Sequence, residues 1–265
     1  MSSPSSPSSP LRRCVIVVSV LALFVGAAGC DAGAFNRWLV AHGKSALSEP
    51  ELSRVVALVT AAEQEQARRA SFTGTVSEVT TERLALSWRP GCPVGAADLR
   101  LLTLSFWGFD DMAHTGELIV HRSIALQTVK AFRELWDAKF PVHRMETAEK
   151  FATPADFNPD GSFIETHAPD LVNDTSAFFC RPTTGSSGWS QHSYGTAIDI
   201  NPVQNPYVKG ATVIPPNGAP ARNAAVAGTI TKVSLPVTAM KRAGLTWGGT
   251  WSSLKDFMHF SKNGR

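Results

Sequence analysis

Two histidines and an aspartate in the C-terminal part of the chain have the residue types of a metal site. His192 and Asp199 lie in one short segment, and His259 follows much later in the sequence. Two imidazoles and one carboxylate can hold Zn²⁺ and leave a fourth position open for water. Asp256, shortly before the last histidine, is ionised at its ordinary pKa of about 3.9 and is placed to act as a general base. This combination predicts hydrolysis of amide bonds.

The sequence around these ligands predicts how they converge. Gly195 permits a tight turn after His192, and a β-strand is expected to follow and to carry Asp199. Because core-type residues flank His259, we expect it to arrive from a neighbouring strand. Arg181, shortly before the His192 segment, is the best candidate to stabilise the negative charge that develops on a scissile carbonyl.

Four further residues are candidates for substrate binding: Ser190, Trp247, Trp251 and Arg222. The two tryptophans precede the His259 segment and can line a pocket, although tryptophans are ordinarily core residues. Arg222 lies in a proline-rich loop and could hold a terminal carboxylate, although a solvated surface arginine is the alternative.

The remaining histidines are interpreted as structural, because a single histidine on an apolar face is usually a packed residue. They are His42, His114, His121, His143 and His167. His114 and His121 are the nearest alternatives as metal ligands, since Asp110 and Asp111 lie close to them in the sequence.

The composition is that of an ordinary globular protein. The chain has 265 residues, of which 43% are hydrophobic and 18% charged, and its net charge is +3. So small a positive charge, without a run of Lys and Arg, does not predict nucleic-acid binding. A chain of this length forms one or two domains, and we expect a monomer.

The N-terminus predicts export. Arg12 and Arg13 precede an uncharged apolar run from Cys14 to Gly29, which is shorter than the roughly 20 residues of a transmembrane helix. A basic start, a short apolar stretch and small residues at its end are typical of an export signal, here residues 1–30. Cys30 occupies the position of an acylated lipoprotein cysteine. Lipid anchoring at Cys30, ordinary cleavage and an uncleaved membrane anchor are all compatible with this pattern.

Cysteine usage agrees with export. Outside the signal the chain has only Cys92 and Cys180, and two cysteines in an exported protein are candidates for one disulfide. Two unpaired buried thiols are the alternative. A bond would close a loop of about 90 residues and stabilise the fold by roughly 4 kcal/mol in the chain-entropy model.

The first part of the chain after the signal predicts a tether, a helix and strands. Residues 31–48 are expected to form the tether. A capping-box pattern at Ser48 then starts a helix whose apolar spacing extends to about Arg69. Two β-branched or apolar segments, Thr73–Val79 and Arg83–Trp88, could pair as a hairpin.

The rest of the chain alternates strands, helices and long loops. Period-two patterns predict strands at Leu102–Phe106 and Glu117–His121, and a helical period between Ile124 and Phe140 predicts a helix. A short helix is expected from about Ser234 to Ala243, while residues 201–222 are expected to be irregular. Without a βαβ rhythm, this mixture predicts an α+β fold: a small antiparallel β-sheet with flanking helices and long loops around a zinc site.

One segment carries a resemblance to a known family. Ser190-Gln-His-Ser-Tyr-Gly-Thr-Ala-Ile-Asp199 matches the pattern S-x-H-x-x-G-x-A-x-D, and the chain therefore resembles the D-alanyl-D-alanine metallopeptidases. That family includes vancomycin-resistance D,D-carboxypeptidases and dipeptidases and L-alanyl-D-glutamate endolysins. The resemblance covers roughly Arg89 to Phe260, and it is closest to the branch whose last motif is D-x-x-H.

The resemblance implies a role for each site residue. It implies zinc on His192, Asp199 and His259, Asp256 as the base, and Arg181 as the group that polarises the scissile carbonyl. It also implies that residues 89–265 form the catalytic domain, with residues 31–88 outside it. Two departures from the family pattern, at Phe179 and Ser261, touch no ligand and bear on substrate preference.

These observations predict an exported zinc peptidase that hydrolyses the stem peptides of peptidoglycan. It would act as a D,D-carboxypeptidase or as an L-Ala-D-Glu endopeptidase. The expected partners are the stem peptides and, through the N-terminal signal or a lipid anchor, the membrane; no nucleic acid is expected. The alternative is a zinc-stabilised cell-wall-binding module without turnover, against which the presence of Asp256 argues. A serine-type peptidase is not supported, because the chain does not contain the full set of S-x-x-K, S-x-N and K-T-G motifs.

Overall fold

The computed structural model describes residues 32–68, 71–150, 152–158, 169–183 and 188–264. The chain divides into two compact units, Met1–Arg69 and Ala70–Arg265. The predicted export signal and Cys30 lie outside the described residues. Within the described ranges, no helix combines the length and the apolar character that crossing a membrane requires.

Two helices form the described part of the first unit. Helix α1 spans Ala32–Ala41 and helix α2 spans Glu49–Arg68. One half of the predicted capping box is present, since the backbone N–H of Ser48 donates to Glu51 Oε2 at 2.9 Å; the Ser48 hydroxyl donates to the same oxygen at 2.6 Å. The helix predicted from the apolar spacing is therefore confirmed.

The expectation of a tether at residues 31–48 is wrong for its first part, which is α1. Phe35, Trp38 and Leu39 recur at helical spacing and pack with Leu52 and Val55 of α2 in a small apolar cluster. The prediction failed because the apolar face of α1 is stabilised by α2, which lies outside residues 31–48.

The second unit is built on a three-stranded antiparallel sheet. Its strands are β1 (Gly74–Glu78), β2 (Leu99–Trp107) and β3 (Ala113–His121), in the order β1-β2-β3. Helix α3 (Ala125–Asp137) packs against β2, and helix α4 (Leu235–Arg242) packs against α3. Helices and small antiparallel sheets thus share one unit, and the predicted α+β class is confirmed.

The predicted hairpin between Thr73–Val79 and Arg83–Trp88 is wrong. Strand β1 pairs with β2, with Val76 opposite Leu102, and Glu82–Leu84 forms a 3-10 turn. Leu84 is buried against Leu99 and Ile119. The hydrogen-bonding edge of β1 is taken by β2, so Arg83–Trp88 does not pair there. Residues 70–88 belong to the same compact unit as the residues that follow, and β1 belongs to their sheet.

Six short strands form two further antiparallel sheets. They are β4 (Ala197–Asp199), β5 (Tyr207–Lys209), β6 (Thr212–Ile214), β7 (Thr246–Trp247), β8 (Lys255–Asp256) and β9 (His259–Ser261). One sheet has the order β4-β9-β7 and the other β6-β5-β8. Residues 201–222 are therefore not irregular throughout, because β5 and β6 form a hairpin within them.

The main core lies between the first sheet and the two helices. Its fully buried side chains come from β2, β3, α3, β4, α4 and β9, and they include Leu102, Leu104, Leu118, Phe132, Ile198, Met240 and Phe260. Ile198 and Phe260 are neighbours of the predicted ligands, so the strands that carry those ligands are fixed to the core by their adjacent residues.

The predicted disulfide is present. Cys92 and Cys180 are bonded, with an S–S distance of 1.98 Å and a Cα–Cα distance of 5.9 Å. Cys180 is itself buried, and its backbone N–H donates to the carbonyl of Ser87 at 2.9 Å. The bond therefore fixes the segment that ends at Arg181 against the start of the unit.

Loss of this disulfide should destabilise the second unit without changing its fold. The double variant Cys92→Ser, Cys180→Ser opens a loop of 88 residues, and the chain-entropy model gives a loss of about 4 kcal/mol in the free energy of unfolding. Urea denaturation of the variant and the wild type under oxidising conditions measures it. A difference under about 1 kcal/mol would contradict this account.

Gly195 should be hard to replace because two constraints meet there. Its φ is +64°, and a Cβ would lie 2.7 Å from the backbone nitrogen of His121. Gly210 has a similar φ of +58° with open space around it, so Gly210→Ala isolates the cost of the backbone conformation. We expect about 1 kcal/mol for Gly210→Ala and at least ~2 kcal/mol more for Gly195→Ala. Chemical denaturation of both variants checks this, and equal losses would disprove the close approach.

Candidate metal centre

Pairing of β4 with β9 brings two predicted ligands together. In this pairing Asp199 lies directly opposite His259. Residues opposite each other on antiparallel strands project to the same face. The His259 Nδ1 atom accordingly lies 2.9 Å from Asp199 Oδ1. The expectation that His259 arrives from a strand next to that of Asp199 is confirmed.

His192 reaches the same point from a 3-10 turn, Gln191–Tyr194. Ser190 caps this turn, because its hydroxyl oxygen accepts from the backbone N–H of His192. The His192 Nδ1–H donates to the carbonyl oxygen of Ala177 at 2.6 Å, which directs Nε2 at the other ligands. Nε2 lies 3.0 Å from Asp199 Oδ2 and 3.3 Å from His259 Nδ1.

The three groups fit a metal ion. All three side chains are buried, and their ligand atoms lie within 4.8 Å of one another. Donor atoms at 2.0–2.1 Å from a tetrahedral ion are about 3.3 Å apart, and the observed separations are close to that value. Among the described residues this is the only set of three such groups that could share an ion.

The two histidines also determine the charge of Asp199. Burial by itself raises the pKa of this carboxyl, but the charges and hydrogen bonds of His192 and His259 outweigh it, and the net pKa is well below its usual range. The site therefore contains an ionised carboxylate between two imidazoles, which is the donor chemistry that a divalent cation requires.

Asp256 stands beside this group. It ends β8, and the carboxyl Oδ1 is sealed from solvent without a hydrogen-bond partner in the described parts of the chain. Gly248 closes one side of it, since a Cβ there would lie 2.6 Å from the Asp256 carbonyl oxygen and 3.0 Å from its Cβ. A buried polar oxygen with no partner is rare and points to a water or ligand that completes the site.

The ordinary pKa expected for Asp256 from its residue type is wrong. Burial raises the pKa of Asp256 to about 7, and the charges of Asp199 and Asp170 add to the rise, while His259 and Arg181 lower it. Residue type alone did not reveal the burial or the nearby carboxylates. A carboxyl that titrates near neutrality suits proton transfer at neutral pH better than an ordinary aspartate.

Arg181 lies within electrostatic range of the site. Its charge lowers the pKa of both Asp256 and Asp170. The backbone N–H of Arg181 donates to the Ser193 hydroxyl at 2.9 Å, so the turn that carries His192 also fixes this residue.

Asp170 is a site residue that sequence reasoning missed. Burial raises its pKa to about 6, and Asp199 raises it further, while Arg181 and His192 lower it. It lies in a 3-10 turn, Pro169–Val172, within a loop rich in Asp, Asn, Ser and Thr. No spacing pattern distinguishes it from the other acids of that loop, because only the fold brings it near the metal centre.

The two tryptophans have different positions. Trp251 lies over His259, with 5.5 Å between ring centroids, and its Nε1–H donates to the Gly264 carbonyl at 2.7 Å. Trp247 is buried in the main core, and its Nε1–H donates to the Phe257 carbonyl at 2.8 Å. Trp251 therefore covers a ligand, while Trp247 is chiefly a core residue.

Arg222 makes structural contacts. Its guanidinium donates to the carbonyls of Gln204 and Ile230 and to Asn205 Oδ1, and it lies 4.2 Å from the centroid of the Phe257 ring. Burial lowers the pKa of Arg222 to about 10. These contacts hold the proline-rich loop to the strand region around Asp256, and they use three of the five N–H donors of the guanidinium.

The other histidines that the structure describes lie outside this group. His42 stacks on Trp38, His121 bonds the Ser123 hydroxyl, and His114 bonds Asp110 at 3.0 Å. The His143 ring packs edge-on to Phe109. His167 lies outside the described residues.

Comparison with known proteins agrees with this geometry. Residues 184–262 match the family model described as D-alanyl-D-alanine carboxypeptidase. This segment is therefore similar to that peptidase family. The match covers less than a third of the 265 residues, but it includes the three ligand positions and Asp256. It confirms the resemblance seen in the sequence. No curated protein and no solved structure matched the chain.

The raised pKa of Asp256 predicts how the stability of the metal-free protein depends on pH. Because the folded state holds this proton more tightly than the unfolded state, stability falls as pH rises from about 4 towards 7. Asp256→Asn removes this cost, so in EDTA it should raise the thermal midpoint by at least ~3 °C at pH 8 and by much less at pH 5.

Asp137→Asn is the matched control, since Asp137 is an exposed residue paired with Arg133. We expect no comparable pH-dependent gain from it. An Asp256→Asn variant with the same change in thermal midpoint at pH 5 and pH 8 would show that burial does not perturb this carboxyl.

Proposed function

We propose that this protein is an exported zinc peptidase that hydrolyses the stem peptides of peptidoglycan. The observation that carries the proposal is the buried group of His192, Asp199 and His259 with Asp256 beside it. The family match of the same segment supports a peptidase of the D-alanyl-D-alanine carboxypeptidase kind.

The residues of the site divide the chemistry between them. His192, Asp199 and His259 would hold the zinc ion, which would supply a water molecule with a pKa lowered to about 7 and a positive charge near the scissile carbonyl. Asp256 accepts the proton of that water and delivers it to the leaving amine. Arg181 offers positive charge for the carbonyl oxygen as negative charge develops on it. The hydrogen bond from His192 Nδ1 to the Ala177 carbonyl keeps the His192 ring oriented.

Two cleavages fit this chemistry, and Arg222 bears on the choice. A D,D-carboxypeptidase needs a cation for the terminal carboxylate, and Arg222 was the residue that the sequence offered for it. Its guanidinium is instead bonded to Gln204, Asn205 and Ile230. An L-Ala-D-Glu endopeptidase needs no such cation. The substrate class, peptidoglycan stem peptides, is common to both cleavages.

Export is supported by the disulfide and by the predicted signal. A disulfide persists in oxidising compartments and is rare in the cytosol. The proposal places the protein in the cell envelope, with Cys30 as the candidate site of a lipid anchor and a monomer as the expected state.

A test separates turnover from mere binding. Asp256→Asn should retain one zinc per chain and lose at least about 100-fold in kcat, because it keeps the shape of the side chain and removes its proton acceptor. The measurements are elemental analysis and mass spectrometry of purified muropeptides incubated with zinc-loaded protein. Loss of a terminal alanine and a cut inside the stem give different masses and identify the bond.

Asp137→Asn serves again as the control and should cleave like the wild type, since Asp137 is an exposed residue paired with Arg133. If wild type and Asp256→Asn bind muropeptides equally and neither cuts them, the protein is the non-catalytic cell-wall-binding module instead.

A further inference from the structure

Pairing of β5 with β8 sets Tyr207 directly opposite Asp256. The backbone N–H of Phe257, which follows Asp256, donates to the carbonyl of Pro206, which precedes Tyr207, at 3.3 Å. Tyr207 and Asp256 are therefore a non-hydrogen-bonded pair of an antiparallel ladder. In such pairs the Cα atoms are about 4.5 Å apart, and the two side chains share one face at their closest approach.

The phenol of Tyr207 is a donor without an acceptor in the described parts of the chain. Burial raises the pKa of this hydroxyl and the charge of Asp256 raises it further, so the hydroxyl keeps its proton at neutral pH. No hydrogen bond joins it to Asp256 or to another residue that the structure describes. Because this hydroxyl is only partly enclosed and lies on the face of Asp256, it is available to a ligand that enters beside Asp256.

The proposed role of Asp256 determines which part of the substrate lies next to Tyr207. The proposed function has Asp256 hand its proton to the leaving amine, so the residue that departs with that amine must lie beside Asp256. That residue carries a carbonyl or carboxylate oxygen close to the amine in either cleavage. Tyr207, on the same face as Asp256, is placed to reach it.

We propose that Tyr207 is a substrate-binding residue whose hydroxyl donates a hydrogen bond to a carbonyl or carboxylate oxygen of the departing residue. The inference rests on the proposed function and adds a specificity contact on the leaving side of the scissile bond. It assigns a function to Tyr207 of the segment Asn205-Pro-Tyr207, which does not belong to the metal-ligand set.

The alternative is that Tyr207 has only a structural role. The β5–β6 hairpin and its neighbours are already held by two other residues. Asn205 Oδ1 accepts from the backbone N–H of Ile230, while Arg222 donates to the Gln204 carbonyl and lies over the Phe257 ring. If Tyr207 only packed, its ring would suffice and phenylalanine would replace it without effect. Removal of the single oxygen therefore distinguishes the two roles.

The test compares wild type with Tyr207→Phe, using the full zinc-loaded chain. Once mass spectrometry has identified the two products of stem-peptide cleavage, each product is titrated separately as an inhibitor. Tyr207→Phe should weaken inhibition by the product with the new amine about tenfold, the value of one hydrogen bond. Inhibition by the product with the new carboxylate should change less than twofold, and the zinc content should not change.

Thr212→Val is the matched control, because it removes a hydroxyl from an exposed position on β6 of the same small sheet. It should leave both inhibition constants unchanged. A second variant, Tyr207→Leu, removes the ring as well and should lose at least as much affinity for the amine product as Tyr207→Phe.

Each outcome decides the inference. Wild-type inhibition constants in Tyr207→Phe would overturn the contact while the proposed function stands. Equal weakening of both products would assign Tyr207 a structural role and overturn it as well. A zinc-loaded wild type that cuts no stem peptide would remove the proposed function and the inference together.

Discussion

The metal centre depends on the pairing of two very short strands. Strand β4 carries Asp199 and strand β9 carries His259, and their register sets the two side chains opposite each other. A shift of either strand by one residue would turn its ligand to the opposite face from the other ligand, because side chains alternate along a strand. Ile198 is next to Asp199 in sequence, Phe260 is next to His259, and both are fully buried. They hold the register because they point into the core while the ligands point to the other face.

The third ligand comes from a different kind of element, and its orientation has its own cause. His192 lies on a 3-10 turn that a capping serine starts and a left-handed glycine ends. The Ala177 carbonyl fixes the protonated nitrogen of the ring, so the other nitrogen faces Asp199. The site is thus assembled from two strands and a turn, whose positions are set by strand pairing and by the hydrogen bond from His192 to Ala177.

Like charges are concentrated at this centre. Asp199, Asp256 and Asp170 act on one another electrostatically, and the imidazoles together with Arg181 oppose them. The carboxylate between the imidazoles stays ionised, whereas the other two hold their protons more tightly than usual. A cation added to such a site relieves the repulsion, which is the same physical reason that the centre suits a divalent metal.

The sequence by itself determined the ligand set, the disulfide pair and most of the regular elements. His192, Asp199 and His259 were identified because their residue types suit metal chemistry whatever the fold, and the segment from Ser190 to Asp199 carries a family pattern. Helix α3 and strands β2 and β3 followed from periodicity, since amphipathic spacing is a local property.

The tertiary structure decided what depends on neighbours distant in the chain. The helix α1, the pairing of β1 with β2 and the β5–β6 hairpin are stabilised by partners that no local pattern contains. Distant neighbours also explain three features of the site. They place Asp170 near the metal centre, supply the bonding partners of Arg222 and raise the pKa of Asp256 to about 7. Residue type sets which chemistry a side chain can perform, but burial and nearby charge, which only the folded chain creates, set whether it does so at neutral pH.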